Sequence, residues 1–254
     1  MESLELKKPK TVSGVNLDFS MFSRDDLINL ILQRSGVLYD LPHPGLPIKA
    51  WIRGDRAPLE EQVDRIGAEI AQRAFAIISS EFEAMCPALD RLAPRRIADI
   101  GCGYGLADLL FHRATGAEMV LIDTEENAHR HFGFQDEGAA YADLAKARAF
   151  LEANGVDGAS IRTVNPSQES LSSLRKVNLA VSLLSCGFHF PVSTYGKFFD
   201  QNVTKTGAVI LTLRKRFDEL AALARLGRIT VLDDSRPNSS LVVMEKRWGR
   251  PAFD

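Results

Sequence analysis

The feature that most constrains this chain is a bare-backbone turn set between a strand and a helix. Arg96-Ile97-Ala98-Asp99-Ile100 reads as a short strand, Gly101-Cys102-Gly103-Tyr104-Gly105 comes next, and residues 107–114 read as a helix. Glycines at alternate positions let the backbone turn sharply and let a ligand approach without a Cβ in the way. The helix behind such a turn aims free N–H groups into the crevice beside it. In open α/β sheets, ligands lie at the carboxyl ends of the strands.

The chain beyond residue 115 keeps the same rhythm. Strands are expected at 118–123, 160–164, 177–184 and 208–213, with helices at 140–153, 195–202 and 217–226. Two closing strands, at 229–232 and 241–246, are separated by the turn Ser235-Arg236-Pro237-Asn238. Alternating strands and helices imply right-handed crossovers and a mainly parallel sheet. The last two strands have little between them and should pair antiparallel.

The N-terminal part has another texture. Ser23-Arg24-Asp25-Asp26 has the look of a helix cap. Residues 41–58, with prolines at 42, 44, 47 and 58, read as an extended connection. Residues 59–92 read as helical, with Val63, Ile66, Ile70, Phe75 and Ile78 recurring between charges. The expected organisation is a helical extension or lid over 1–93 and an α/β domain over 94–254. Leu38-Tyr39-Asp40-Leu41-Pro42 is read as a lid edge, or else as a packed loop.

Composition narrows the partners. Among 254 residues, 45% hydrophobic, 31 basic and 33 acidic side chains leave a net charge of -2. That balance gives no global attraction to nucleic acid or to an anionic membrane. No apolar run reaches the ~20 residues a membrane span needs. The start of the chain lacks the basic-then-apolar order of a secretory signal. Cys86, Cys102 and Cys186 are odd in number and widely spaced, so a disulfide framework and a zinc site are not expected. The expected location is cytoplasmic.

The dinucleotide fingerprint needs a third glycine at 106, where this chain has Leu106. The spacing Asp-x-Gly-x-Gly-x-Gly over 99–105 instead resembles the first motif of class I S-adenosylmethionine-dependent methyltransferases. That resemblance implies a Rossmann-like seven-stranded sheet, parallel with a C-terminal antiparallel hairpin, and S-adenosyl-L-methionine as cofactor. Gly101 and Gly103 would face the methionine part, Gly105 would belong to the same cofactor site, and Asp99 would orient the turn and reach the cofactor's amino group, directly or through water. Asp123, at the end of the second strand, would accept from both ribose hydroxyls. Ser167 and Gln168 in Asn165-Pro166-Ser167-Gln168-Glu169 would meet adenine; the alternative is a helix cap by Ser167. Asn165-Pro166 lacks the second proline of the amino-methylating nucleic-acid enzymes and stands after the wrong strand, which excludes that motif.

The acceptor is expected just beyond the fourth strand. There Ser182-Leu183-Leu184-Ser185-Cys186-Gly187-Phe188-His189-Phe190-Pro191 resembles sugar O-methyltransferases of bacterial surface polysaccharide gene clusters. His131-Phe132-Gly133-Phe134 and Gly138-Ala139-Ala140-Tyr141 fit the same family. Ser185 is assigned to the cofactor and His189 to the general base, since imidazole accepts a proton near neutral pH. The alternative for His189 is packing between Phe188 and Phe190. His129 and His131 with Asp136 and Glu137 give no diagnostic metal spacing, so no metal is expected. Arg214-Lys215-Arg216 and Lys246, Arg247 and Arg250 are read as solvated surface rather than a phosphate site. The expected partner is a small-molecule or glycan acceptor, with the N-terminal helices as lid or homodimer surface. The competing readings are a small-molecule N-methyltransferase and a non-catalytic cofactor-binding assembly protein.

Overall fold

The computed structural model describes residues 16–125 and 142–246. The chain divides into two compact units, Met1–Glu83 and Ala84–Asp254.

In the first unit, α1 (Arg24–Gln33) starts at the expected cap. The Ser23 hydroxyl accepts from the Asp26 N–H, and the Asp26 carboxylate accepts from the Ser23 N–H at 2.7 Å. Residues 41–58 are not extended throughout. α2 (Leu46–Ile52) and α3 (Ala57–Ile66) begin there, with Pro47 and Pro58 in their first turns. A first turn has no use for the N–H that proline lacks, so prolines that suggest a loop start helices instead. The helical stretch after residue 59 breaks at Gly67 into α3 and α4 (Glu69–Phe82). Tyr39 and Asp40 form a packed loop. Arg73 lies 4.6 Å over the Tyr39 ring, and Asp40 takes Arg65 at 2.7 Å and Arg73 at 2.8 Å. Hydrogen bonds from those two guanidinium groups hold the Asp40 carboxyl well below the usual carboxylate range.

In the second unit α5 (Cys86–Leu92) precedes the sheet. β1 (Arg96–Ile100), α6 (Leu106–Thr115), β2 (Glu118–Ile122), α7 (Leu144–Ala153) and β3 (Ile161–Val164) come next. β4 (Val177–Ser182), α8 (Gly196–Gln201), β5 (Val203–Arg214), α9 (Glu219–Ala224), β6 (Gly227–Asp233) and β7 (Ser239–Lys246) complete it. The strand order is β3-β2-β1-β4-β5-β7-β6. β1 to β5 are parallel, and β7 pairs antiparallel with both β5 and β6. This is the expected Rossmann-like sheet with its C-terminal antiparallel pair. Ile97, Ala98, Ile100 and the run Met119–Ile122 are fully buried, as strands covered on both faces must be.

The order reverses beside β1. The chain winds out through β2 and β3, then returns to β4 on the other side of β1. Loops leaving β1 and β4 part in opposite directions, and that is where α/β sheets open a ligand crevice. Several boundaries differ from the sequence expectation, those of β4 and β5 among them. β4 stops at Ser182, because Leu184 takes φ 59° and turns the chain. β5 begins at Val203, with Lys205 and Thr206 on its exposed lead-in. Among the described residues no helix is long and apolar enough to cross a membrane.

Candidate functional site

The glycine turn stays bonded to the sheet beyond the end of β1. The N–H groups of Gly101 and Cys102 both donate to the Ile122 carbonyl, at 2.7 and 3.3 Å. Gly101 has φ 74°, and a Cβ there would lie 2.1 Å from Ser185 Oγ. The room left by this glycine is thus taken by Ser185, from the loop after β4. Gly105 (φ 73°) caps α6, and its Cβ would meet Leu151 Cδ1 at 2.8 Å and the Ala147 carbonyl at 3.3 Å. The close approach at Gly105 is therefore made by α7, which gives this glycine a packing role. Gly103 donates its N–H to Asp123 Oδ2 at 3.0 Å, joining the tips of β1 and β2.

Asp123 is braced further. Its N–H donates to the Val164 carbonyl at 3.2 Å, and its Oδ1 accepts from the Glu125 N–H at 3.4 Å. Burial pushes its carboxyl up to about 6, against the smaller lowering by backbone N–H bonds, that from Gly103 foremost. Glu125, at φ 60°, accepts from the Leu144 N–H at the start of α7 and from Asn165 Nδ2, each at 3.0 Å. Asn165 Nδ2 also donates to the Thr124 carbonyl, at 3.2 Å. Glu125 and Asn165 thus tie β2 and β3 together around Asp123. The sequence expectation includes neither, although an Asn-Pro pair directly after a strand is a signal.

Ser167 and Gln168 stand exposed on the loop after β3. The Asn165 side chain accepts from the Ser167 N–H at 2.9 Å, so Ser167 is not a helix cap. The next 3₁₀ turn is capped by Ser170. Tyr141, His129, His131, Asp136, Glu137, Arg247, Arg250 and the aromatic loop at 131–134 lie outside the described residues.

Beneath the turn lie two carboxyls where the sequence points to one. Asp99 is 2% exposed and Asp108, in the first turn of α6, is 0% exposed. Among the described residues neither Asp108 oxygen meets a hydrogen-bond donor. Two buried carboxyls so close disfavour double ionisation. Burial foremost, then the Asp99 charge, pushes the Asp108 acid well above its ordinary range. A folded carboxyl with a raised pKa stabilises the fold fully below the unfolded value of 3.8, and that stability is lost as pH rises through the folded value. Asp108→Asn keeps the shape and cannot ionise. It is expected to raise stability near pH 8 by about 1–3 kcal/mol and to flatten the pH profile, as measured by denaturant unfolding. A loss of stability near pH 8 would show that the fold does not oppose ionisation of Asp108.

The loop after β4 is held by Ser182, which is fully buried. Its hydroxyl donates to the Ile100 carbonyl at 2.6 Å and accepts from the Cys186 N–H at 2.8 Å. Ser182→Ala strands both partners and is expected to cost about 2 kcal/mol, read as a lower denaturation midpoint. The Ser185 carbonyl accepts from the N–H groups of Phe188 and His189, at 3.0 and 2.7 Å. His189 is half-buried, its ring edge-to-face with Phe188 at 5.1 Å. Gly101 and Ser185 thus meet, Gly103 and Asp123 meet, and His189 sits one hydrogen bond from Ser185. Asp99 turns to Asp108 and Gly105 to α7.

The basic run after β5 does not behave as one surface cluster. Lys215 Nζ donates to the Arg236 and Asp234 carbonyls at 2.7 and 3.2 Å, holding the β6–β7 turn. Lys246 Nζ donates to the Val203 carbonyl at 2.9 Å. Lys215 stays exposed and also pairs with Asp234 Oδ1 at 3.0 Å, while the partly buried Lys246 acts as a carbonyl cap.

No family model matches the chain, and no curated protein matches it by sequence. Solved structures of similar fold include the T. thermophilus 16S rRNA N2 G1207 methyltransferase in complex with AdoMet and guanosine. It is 16% identical at a TM-score of 0.46, over 68% of this chain and 43% of that one. This chain therefore spans less than half of that enzyme. A methyltransferase from Geobacter sulfurreducens is 16% identical at a TM-score of 0.46, over 65% of this chain and 77% of that one. The magnesium protoporphyrin IX methyltransferase of Synechocystis, with bound SAH, is 13% identical at a TM-score of 0.43, over 70% and 87%. The fold itself rests on the strand order and the strand directions.

Proposed function

We propose that this chain is an S-adenosylmethionine-dependent methyltransferase acting on a hydroxyl, that of a sugar in a bacterial surface glycan or its precursor. The observation that carries the reading is the 3.0 Å bond from the Gly103 N–H to Asp123 Oδ2 at the point where the strand order reverses. A carboxylate has about four lone-pair sites. After taking the Gly103 and Glu125 N–H groups, with the Thr124 N–H also acting on it, Asp123 keeps acceptor capacity for a ribose hydroxyl.

The charge around the turn supports a cationic cofactor. Burial foremost, then Asp123, Asp108 and Asp99, raises the Cys102 thiol inside the turn. Acidic groups so placed disfavour a pyrophosphate and suit a sulfonium and an ammonium. The cofactor, when bound, supplies the methyl group on its sulfonium. Asp123 binds ribose, Asp99 supports the turn from beneath, the turn orients the amino-acid tail, and Ser185 lines the same wall. His189 takes the proton from the acceptor hydroxyl as oxygen attacks in line, and alignment by the loop after β4 lowers the barrier. The sugar assignment rests on the resemblance of residues 182–191.

Calorimetry of the full chain is expected to register S-adenosylmethionine and not NAD. Binding of NAD alone would replace the reading with a nucleotide-dependent one. Surface glycans from cells lacking the gene should lose the mass of one CH₂ unit; an unchanged mass would remove the glycan assignment.

A further inference from the structure

We propose that Arg214 recognises an anionic group, carboxylate or phosphate, on the acceptor, beside His189. The proposal rests on the methyl-transfer reading and names the acceptor's chemistry. Arg214 ends β5, next to β4 in the sheet. Its N–H donates to the Gly187 carbonyl at 3.0 Å, which ties the strand end to the loop carrying His189. Its guanidinium carbon lies 4.3 Å from the centroid of the Phe188 ring. The same ring stands against His189.

Among the described residues its charge meets no counter-ion. The partly buried Arg34, Arg73, Arg96 and Arg148 each meet a carboxylate, of Glu81, Asp40, Glu118 and Glu152 respectively. Arg214 meets none among the described residues, and its Nε is buried with no hydrogen-bond partner. Burying a cation without a partner costs free energy, so a fold that does so leaves the site short of an anion. Burial, and then the charge of Arg216, pulls this guanidinium below its ordinary range. The guanidinium sits over the Phe188 ring, and its planar fork suits the paired oxygens of a carboxylate or phosphate. Lys215 is engaged with the β6–β7 turn, and Arg216 lies exposed against Phe217 at 5.3 Å. Within the basic run, Arg214 alone shares the loop of His189. The acceptor class this fits is a uronic acid or a sugar phosphate, with its anionic group held while a hydroxyl faces His189.

The test titrates the full chain, first with S-adenosylhomocysteine and then, at saturation, with glucuronate, glucose 1-phosphate, inorganic phosphate and glucose. At least one anion is expected to bind where glucose does not. Preference for glucuronate assigns a carboxylate, and preference for the phosphates assigns a phosphate. Arg214→Gln is expected to weaken anion binding by about tenfold or more, and Arg216→Gln to leave it unchanged. Arg214→Lys keeps the charge without the planar fork and should retain part of the affinity, which separates recognition from a folding defect. Equal anion binding by wild type and Arg214→Gln overturns the proposal, as does the absence of binding by every anion to the wild type. Failure to bind S-adenosylhomocysteine at the first step sinks the methyl-transfer reading instead.

Discussion

His189→Ala is expected to lower turnover by about 10²-fold or more while leaving S-adenosylmethionine affinity within about twofold. The asymmetry comes from where the imidazole sits. His189 hangs from the Ser185 carbonyl by its backbone N–H, at 2.7 Å, so removing its side chain leaves that bond in place. Ser185 therefore keeps its position against Gly101, and the cofactor side of the site is undisturbed. What is lost is the group that accepts a proton as the acceptor oxygen attacks. His189→Gln restores shape and polarity without basicity, so it should be as slow as alanine if proton transfer is the role. Single-turnover rates with saturating cofactor measure this directly. Normal turnover in both variants would return His189 to a packing role between Phe188 and Phe190.

The sheet is legible in the sequence because its signals are local and repeated. β2 and β4 are short, mostly apolar runs, β1 and β3 are short stretches that carry polar residues among apolar ones, and the Asn154-Gly155 stop ends α7 where expected. The N-terminal helices are less legible, since proline marks both loops and first turns and only the neighbouring chain decides between them. Pro47 and Pro58 fall on the second side of that ambiguity. The lead-in of β5 escapes because Lys205 and Thr206 look like a turn, although their backbone continues the strand.

The site is legible at the level of which loops meet, and less so at the level of which atoms touch. A glycine announces a close approach and not the group that approaches. At Gly101 that group is Ser185, and at Gly105 it is α7. Asp108 looks like an ordinary acid at a helix start, stabilised there by the dipole. Only the burial of α6 against the sheet makes it an acid whose ionisation is opposed by its surroundings and by Asp99. Arg214 hides in a basic run because charge clusters are usually solvated, and sequence cannot tell which member stacks on an aromatic ring.

Asp123→Ala is expected to weaken S-adenosylmethionine binding by about tenfold or more near pH 8 and to abolish a pH dependence that the wild type shows. Burial has pushed the Asp123 carboxyl up to about 6. A ribose hydroxyl donates to the ionised form, so binding must first remove a proton when the solution is more acidic than that. Wild-type affinity should be flat above about pH 7 and fall by as much as about tenfold per unit below about pH 6. Stability of the ligand-free fold moves the other way. The folded value is raised from 3.8, so this group's stabilisation is complete below 3.8 and is lost as pH rises through about 6. Asp123→Asn should thus bind more weakly near pH 8 and yet unfold at slightly higher denaturant than the wild type. A residue that only braced Gly103 would move both quantities together, and unchanged affinity in Asp123→Ala would remove the ribose assignment. Opposite signs in two measurements on one variant therefore distinguish a ligand-holding carboxylate from a structural one.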